Sequence, residues 1–125
     1  MTQITQLGRV LVPVSDQDAA IAFYTGKLGF TLAADVPFAG TERWVEVTPP
    51  GGGAAIALVP PQGEYQPGRM TGISLSSADP KGDHAALAAS GVDVDGQLMG
   101  GDGTVPLLFF FRDADKNTLM ITQAQ

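Results

Sequence analysis

The chain contains no cysteine and only one histidine among its 125 residues. Without cysteine, the protein has no disulfide, no thiolate-bound metal, no iron–sulfur cluster and no cysteine nucleophile. Its stability must therefore come from packing, and its chemistry must use oxygen, nitrogen and apolar groups.

Basic residues are also few, since 7 Lys and Arg stand against 13 Asp and Glu and give a net charge of −6. They form no run along the chain, which argues against nucleic acid or an anionic membrane as a partner. No apolar run approaches the roughly 20 residues that a transmembrane helix needs. Residues 1–7 lack the basic and hydrophobic parts of a signal peptide. We therefore expect a cytoplasmic protein.

A hydrophobic content of 44% is enough for a core, and 16 Gly and 9 Pro predict frequent turns. At this length we expect one domain over 1–125. Within it the order strand, helix and three strands occurs twice, with Asp16 and Asp79 at equivalent points before the two helices. This repetition indicates a tandem duplication, with module one at 4–60, a linker at 61–69 and module two at 70–124.

Alternation of apolar residues predicts the strands, and capping residues predict the helix ends. The predicted strands of module one are 9–15, 30–36, 43–48 and 54–59, with a helix from Ser15-Asp16 to Leu28 that Gly29 ends. Those of module two are 72–76, 92–94, 105–111 and 118–122, with a helix from Asp79-Pro80 to Ser90 that Gly91 ends. The predicted fold class is α+β, built from two tandem β-α-β-β-β modules.

Four motifs together resemble the vicinal oxygen chelate superfamily, which contains glyoxalase I, extradiol dioxygenases and bleomycin-resistance proteins. They are Val12-x-Val14-x-Asp16, Ala22-Phe23-Tyr24, Leu28-Gly29-Phe30 and Phe111-Arg112-Asp113-x-Asp115-x-Asn117. The resemblance implies that the two modules pair into a cupped, incomplete barrel with the helices outside and a binding site in the concave interior. It also implies a homodimer. One departure is Lys116, where the family's turn usually has glycine and a left-handed backbone.

The same resemblance implies four metal-ligand positions, which His or Glu occupy in the family's enzymes. In this chain they correspond to Arg9, Gly72, Met120 and the apolar strand 54–59. An arginine is a permanent cation, a glycine has no side chain, and the apolar residues offer no hard donor. We therefore predict no metal and no other cofactor.

If the valines at 10, 12 and 14 face the first helix, their neighbours face the cup. The same alternation applied to the other strands gives the candidate ligand-binding residues, which are Arg9, Leu11, Trp44, Glu46, Phe110 and Met120. Two other interpretations stay open, namely that Trp44 only fills core and that Arg9 pairs with Glu46. The single histidine, His84, lies on the helix stripe of Leu87, so we expect it to pack against the sheet with a satisfied ring nitrogen.

Three functions are compatible with these observations. The first is a metal-independent protein that sequesters a hydrophobic or aromatic small molecule, such as an antibiotic, with no catalytic residue. The net charge of −6 would modestly favour a cationic ligand. The second is a metal-free isomerase or lyase in which Arg9 polarises a carbonyl and Glu46 moves a proton. The third is a dimeric scaffold without a ligand. The missing metal ligands and the Trp-lined cup favour the first.

Overall fold

Each half of the chain forms a four-stranded sheet with one helix, as the computed structural model shows for residues 1–38, 40 and 42–124. The chain divides into two compact units, 1–66 and 67–125. The elements of the first unit are β1 (Arg9–Pro13), α1 (Gln17–Gly26), β2 (Thr31–Phe38), β3 (Glu42–Thr48) and β4 (Ala55–Val59). Those of the second are β5 (Met70–Ser77), α2 (Pro80–Ala89), β6 (Asp93–Val94), β7 (Leu108–Arg112) and β8 (Thr118–Gln123).

The first sheet has the strand order β1-β4-β3-β2, with β1 parallel to β4 and the other neighbours antiparallel. Helix α1 packs on one face of it, against β2, β3 and β4. The core beneath the helix consists of buried apolar residues, including Val12, Ala20, Tyr24, Val45, Val47 and Leu58. Burial of this face drives the alternation seen in the sequence, because successive strand residues point to opposite faces.

The second sheet repeats the arrangement, with the order β5-β8-β7-β6 and β5 parallel to β8. Helix α2 packs against β6, β7 and β8. The buried residues are again alternate strand positions, together with one helix residue: Leu87, Phe109, Phe111, Leu119 and Ile121. The predicted α+β class and its two tandem β-α-β-β-β modules are therefore confirmed.

Both helix starts agree with the sequence. Asp16 caps α1 by accepting from the Ala19 N–H at 3.1 Å, and Asp79 caps α2 by accepting from the Gly82 N–H at 3.1 Å. The predicted end of α1 at Leu28 is wrong by two residues. The chain leaves the helix because the Phe30 N–H turns back to the Tyr24 carbonyl at 2.9 Å while Gly29 takes a φ of 76°.

The predicted strand 105–111 begins too early. Val105 is half-exposed and its carbonyl accepts from the Gly101 N–H at 2.9 Å, so it belongs to a loop. Pro106 has no N–H to add to a ladder, and β7 starts only at Leu108. At β6, Val92 closes the end of α2 instead of starting the strand, since its N–H donates to the Leu87 carbonyl at 3.0 Å.

The turn between β7 and β8 has the left-handed residue that the resemblance implied, with Lys116 at a φ of 67°. No helix among residues 1–38, 40 and 42–124 is long and apolar enough to cross a membrane. The cupped arrangement of the modules and the linker boundaries 61–69 stay predictions. Within that segment, Gln62 pairs with Tyr65, and the Tyr65 hydroxyl donates to the Leu11 carbonyl on β1.

Candidate functional site

The face of the first sheet opposite α1 brings together four of the six predicted site residues. Val45 and Val47 are fully buried under α1, so Trp44 and Glu46 lie on the other face of β3. Strand pairing places Glu46 beside Ala57 and Ala57 beside Leu11. These residues of β3, β4 and β1 therefore lie on the same face of the sheet. We call this surface the first open face; its residues are Arg9, Leu11, Val36, Phe38, Trp44 and Glu46.

A polar cluster lies within the first open face and is centred on one oxygen atom. The Oε2 atom of Glu46 accepts from Arg9 Nε at 2.9 Å and from Trp44 Nε1 at 2.7 Å. The Glu46 side chain is 14% exposed, whereas that of Arg9 is 53% exposed. The interpretation that Arg9 pairs with Glu46 is therefore confirmed. The carboxylate fixes the guanidinium and the indole relative to each other.

An aromatic pair extends this surface. The rings of Phe38 and Trp44 meet edge to face, with centroids 6.0 Å apart and an interplanar angle of 66°. Val36 is the strand partner of Trp44, and Val36, Phe38 and Leu11 are 50%, 54% and 41% exposed. Exposed apolar groups that lie together are typical of binding surfaces. Pro13, which the alternation also placed on this side, is fully buried and offers no surface.

The other two predicted site residues lie in the second unit and are neighbours there. Phe110 on β7 and Met120 on β8 are strand partners, and both are half-buried. Their face is opposite the buried Phe109 and Phe111. Next to them, Ser74 and Thr122 share a hydrogen bond of 2.8 Å between their hydroxyls. Phe110 and Met120 thus form a small apolar surface with the two hydroxyl groups of Ser74 and Thr122 beside it.

Sequence reasoning missed the ion pairs of Arg112. Its guanidinium binds Asp93 on β6 at 3.0 Å and Asp95 at 2.8 Å. The hydrogen bonds from Arg112 hold the pKa of Asp93 below its usual range, and those from the two carboxylates raise the pKa of Arg112. The available signal was the spacing of Asp93 and Asp95, two acidic residues separated by Val94 at the predicted strand 92–94. These ion pairs hold β6 against β7. The Arg112 side chain is 20% exposed, so little of its surface can contact a ligand.

A divalent metal does not fit the residues at the positions that the resemblance implied. Arg9 presents a cation and Gly72 has no side chain. On the apolar strand β4, the residue next to Glu46 is Ala57, whose methyl group cannot bind a metal. Among the described residues, no group of three or more His, Cys, Asp or Glu could hold an ion. His84 is not available either, because its Nε2 atom bonds the Asp95 carbonyl at 2.6 Å and its ring packs edge-on against Phe109, as predicted.

Comparison with known proteins places these features in a family. Residues 6–121 match the Glyoxalase/Bleomycin resistance protein/Dioxygenase superfamily. The chain is similar in structure to TnmS3, an antibiotic binding protein from Streptomyces sp. CB03234, with 33% identity, 100% of both chains covered and a TM-score of 0.86. It is also similar to a member of the same superfamily from Sphaerobacter thermophilus DSM 20745, with 28% identity, coverage of 98% of this chain and 100% of that one, and a TM-score of 0.88.

A partial relative is the uncharacterized protein YetH of Bacillus subtilis (strain 168), which is 42% identical over 57 residues. That match covers 46% of this chain and 48% of the relative, so the chain spans about half of the relative's length. The family match, in contrast, runs through both modules and all four sequence motifs. The chain therefore belongs to the Glyoxalase/Bleomycin resistance protein/Dioxygenase superfamily.

Proposed function

We propose that this protein binds and sequesters a hydrophobic or aromatic small molecule, such as an antibiotic, without a metal. The observation that carries the proposal is the first open face, where the half-exposed Phe38 ring meets Trp44 beside the Arg9–Glu46 pair. An apolar and aromatic surface with a few placed polar groups is how small-molecule sites are usually built. Phe110 and Met120 are proposed as further ligand contacts.

Similarity to an antibiotic binding protein supports this function. The structural match to TnmS3, at 33% identity, covers the whole of both chains and therefore the strands that carry the first open face. One fold can host several activities, so function depends on the residues of the site. The residues of the site must therefore be tested directly.

The geometry supports binding more than catalysis by Arg9 and Glu46. A proton-transferring carboxylate needs an oxygen directed at the ligand, whereas Glu46 Oε2 already receives both Arg9 Nε and Trp44 Nε1. An isomerase or lyase acting through this pair would have to use the other oxygen of a carboxylate that is only 14% exposed, or break those hydrogen bonds first. We therefore keep the metal-free enzyme as the alternative, to be detected as turnover of any ligand that binds.

The experiment uses two leucines that are matched in type and exposure but lie on opposite faces of the sheet. Leu11 is 41% exposed on the first open face, and Leu32 is 42% exposed and pairs with the buried Val47 on the helix side. A thermal-shift screen of aromatic natural products first identifies a ligand. Leu11→Ala should then weaken its binding several-fold, and Leu32→Ala should not. Equal effects of the two substitutions would contradict the proposed site.

A further inference from the structure

The polar cluster exposes mainly hydrogen-bond donors to a ligand, because the Arg9 side chain is 53% exposed and that of Glu46 is 14% exposed. We infer that the first open face selects neutral, flat aromatic molecules that carry a carbonyl-type oxygen, and that it disfavours cationic aromatics. This inference rests on the proposed function and names the chemical class of its ligand. It also replaces the expectation, based on net charge alone, of a cationic ligand.

Arg9 supplies the available donors. Its Nε atom is engaged by Glu46 at 2.9 Å, but its two Nη groups have no hydrogen-bond partner among the residues that the structure describes. The side chain is 53% exposed, so these N–H groups can reach a ligand. A guanidinium held at Nε presents the rest of its planar fork in a fixed orientation, which suits an oxygen acceptor.

Glu46, in contrast, offers little to a cation. Its side chain is 14% exposed, and its charge is paired with that of Arg9. A cationic ligand would have to displace Arg9 or lie next to it, and like charges at short distance repel. An anionic ligand would meet Arg9 favourably but would have to approach a chain of net charge −6. A neutral carbonyl receives the hydrogen bond without either cost.

Trp44 determines where that carbonyl must be. Its indole N–H is committed to the oxygen that also binds Arg9, so the indole donates nothing further and presents its ring. Because both nitrogens bond to one atom, the guanidinium lies at the edge of the indole. A flat ligand stacked on Trp44 would therefore bring an oxygen on its rim to the free Nη groups.

The test compares three naphthalenes that differ only in one substituent: acetyl, ethyl or aminomethyl. Ligand-observed NMR titration measures their dissociation constants for the full-length protein. We expect the acetyl compound to bind about tenfold more tightly than the ethyl compound, as one hydrogen bond to a charged donor allows. The protonated aminomethyl compound should bind most weakly. Equal affinities for acetyl and ethyl would overturn the inference while leaving the proposed function intact.

Two substitutions complete the test. Arg9→Met removes the donors and leaves the Glu46 carboxylate without its cationic partner, so the aminomethyl compound should become the tightest binder of the three. Arg43→Lys is the control, since Arg43 lies on the same strand as Trp44 but pairs with Asp35 and Asp18 on the helix side. It should leave the order unchanged. An unchanged order in a folded Arg9→Met protein would overturn the inference, and binding of no naphthalene at all would count against the proposed function as well.

Discussion

At the scale of single residues, Trp44 has two roles that can be separated by experiment. Its N–H group is bound to Glu46 and its ring contacts Phe38, so it is held in place. It is nevertheless only partly buried. The fully buried side chains of β3 are instead those of Val45 and Val47. We therefore propose that Trp44 contributes more to a ligand than to the core.

Replacing Trp44 by Ala should therefore affect binding more than stability. We expect ligand binding to weaken by about 1 to 3 kcal/mol, as for the loss of an aromatic anchor. Unfolding stability should fall by less than the roughly 3 to 5 kcal/mol typical of a truncated core tryptophan. Calorimetric titration and urea unfolding measure the two quantities. A variant that loses the full core penalty, yet binds normally when folded, would contradict this assignment.

Lys116 is a second residue that gives a prediction at this scale, here through its backbone conformation. Its φ of 67° lies in the left-handed region, which costs a residue with a Cβ roughly 1 to 2 kcal/mol. Glycine removes that cost but loses roughly 0.5 to 1 kcal/mol to the entropy of the unfolded chain. Lys116→Gly should thus stabilise the protein by up to roughly 1.5 kcal/mol in urea unfolding. A destabilised variant would show that the Lys116 side chain contributes more than its backbone costs.

At the scale of elements, strand alternation predicted which residues share a face, because the side-chain period of a strand is fixed at two. It placed Arg9 and Leu11, and Trp44 and Glu46, correctly opposite the helix. It left open whether Arg9 pairs with Glu46, because that pair depends on the register between β1, β4 and β3. It did not predict the hydrogen bond between Trp44 and Glu46, which lie two residues apart on β3.

The sequence analysis missed the aromatic residue Phe38 for a different reason. The predicted strand ended at 36, just before Pro37, a residue that cannot donate to a ladder. In the structure β2 is an edge strand and continues through Pro37 to Phe38. Edge strands tolerate proline, but the sequence alone does not show which strand lies at the edge. Phe38 was consequently absent from the predicted site, although it contacts Trp44.

The short strand β6 gives a prediction about pH. It has two residues, and Arg112 on β7 binds Asp93 within it. Because Arg112 keeps the pKa of Asp93 below its usual value in the folded state, the stabilisation is complete above about pH 4 and is lost as the pH falls through the lowered pKa. Asp93→Asn should therefore be less stable than the parent at pH 7, and the difference should shrink towards pH 2.

Urea unfolding at a series of pH values measures this difference. A stability gap between the parent and Asp93→Asn that stays constant from pH 7 to about pH 2 would show that the carboxylate of Asp93 does not carry the effect.

At the scale of the whole molecule, β2 raises the question of assembly. It is an edge strand of eight residues, Thr31–Phe38, and nearly all of it is exposed. Such an edge usually has to be covered or blunted. We therefore propose a homodimer. Light scattering at tens of micromolar protein should report about twice the chain mass of 12.9 kDa. A mass near 12.9 kDa would contradict it.

The central claim is that this chain binds an aromatic ligand on the first open face without a metal. The most direct test is a titration of the single tryptophan's fluorescence with a ligand from the screen, before and after exhaustive treatment with a strong chelator. We expect a saturable change with the same dissociation constant in both samples, and no stoichiometric metal by elemental analysis. Binding that disappears with the chelator and returns with one divalent ion per chain would contradict the account.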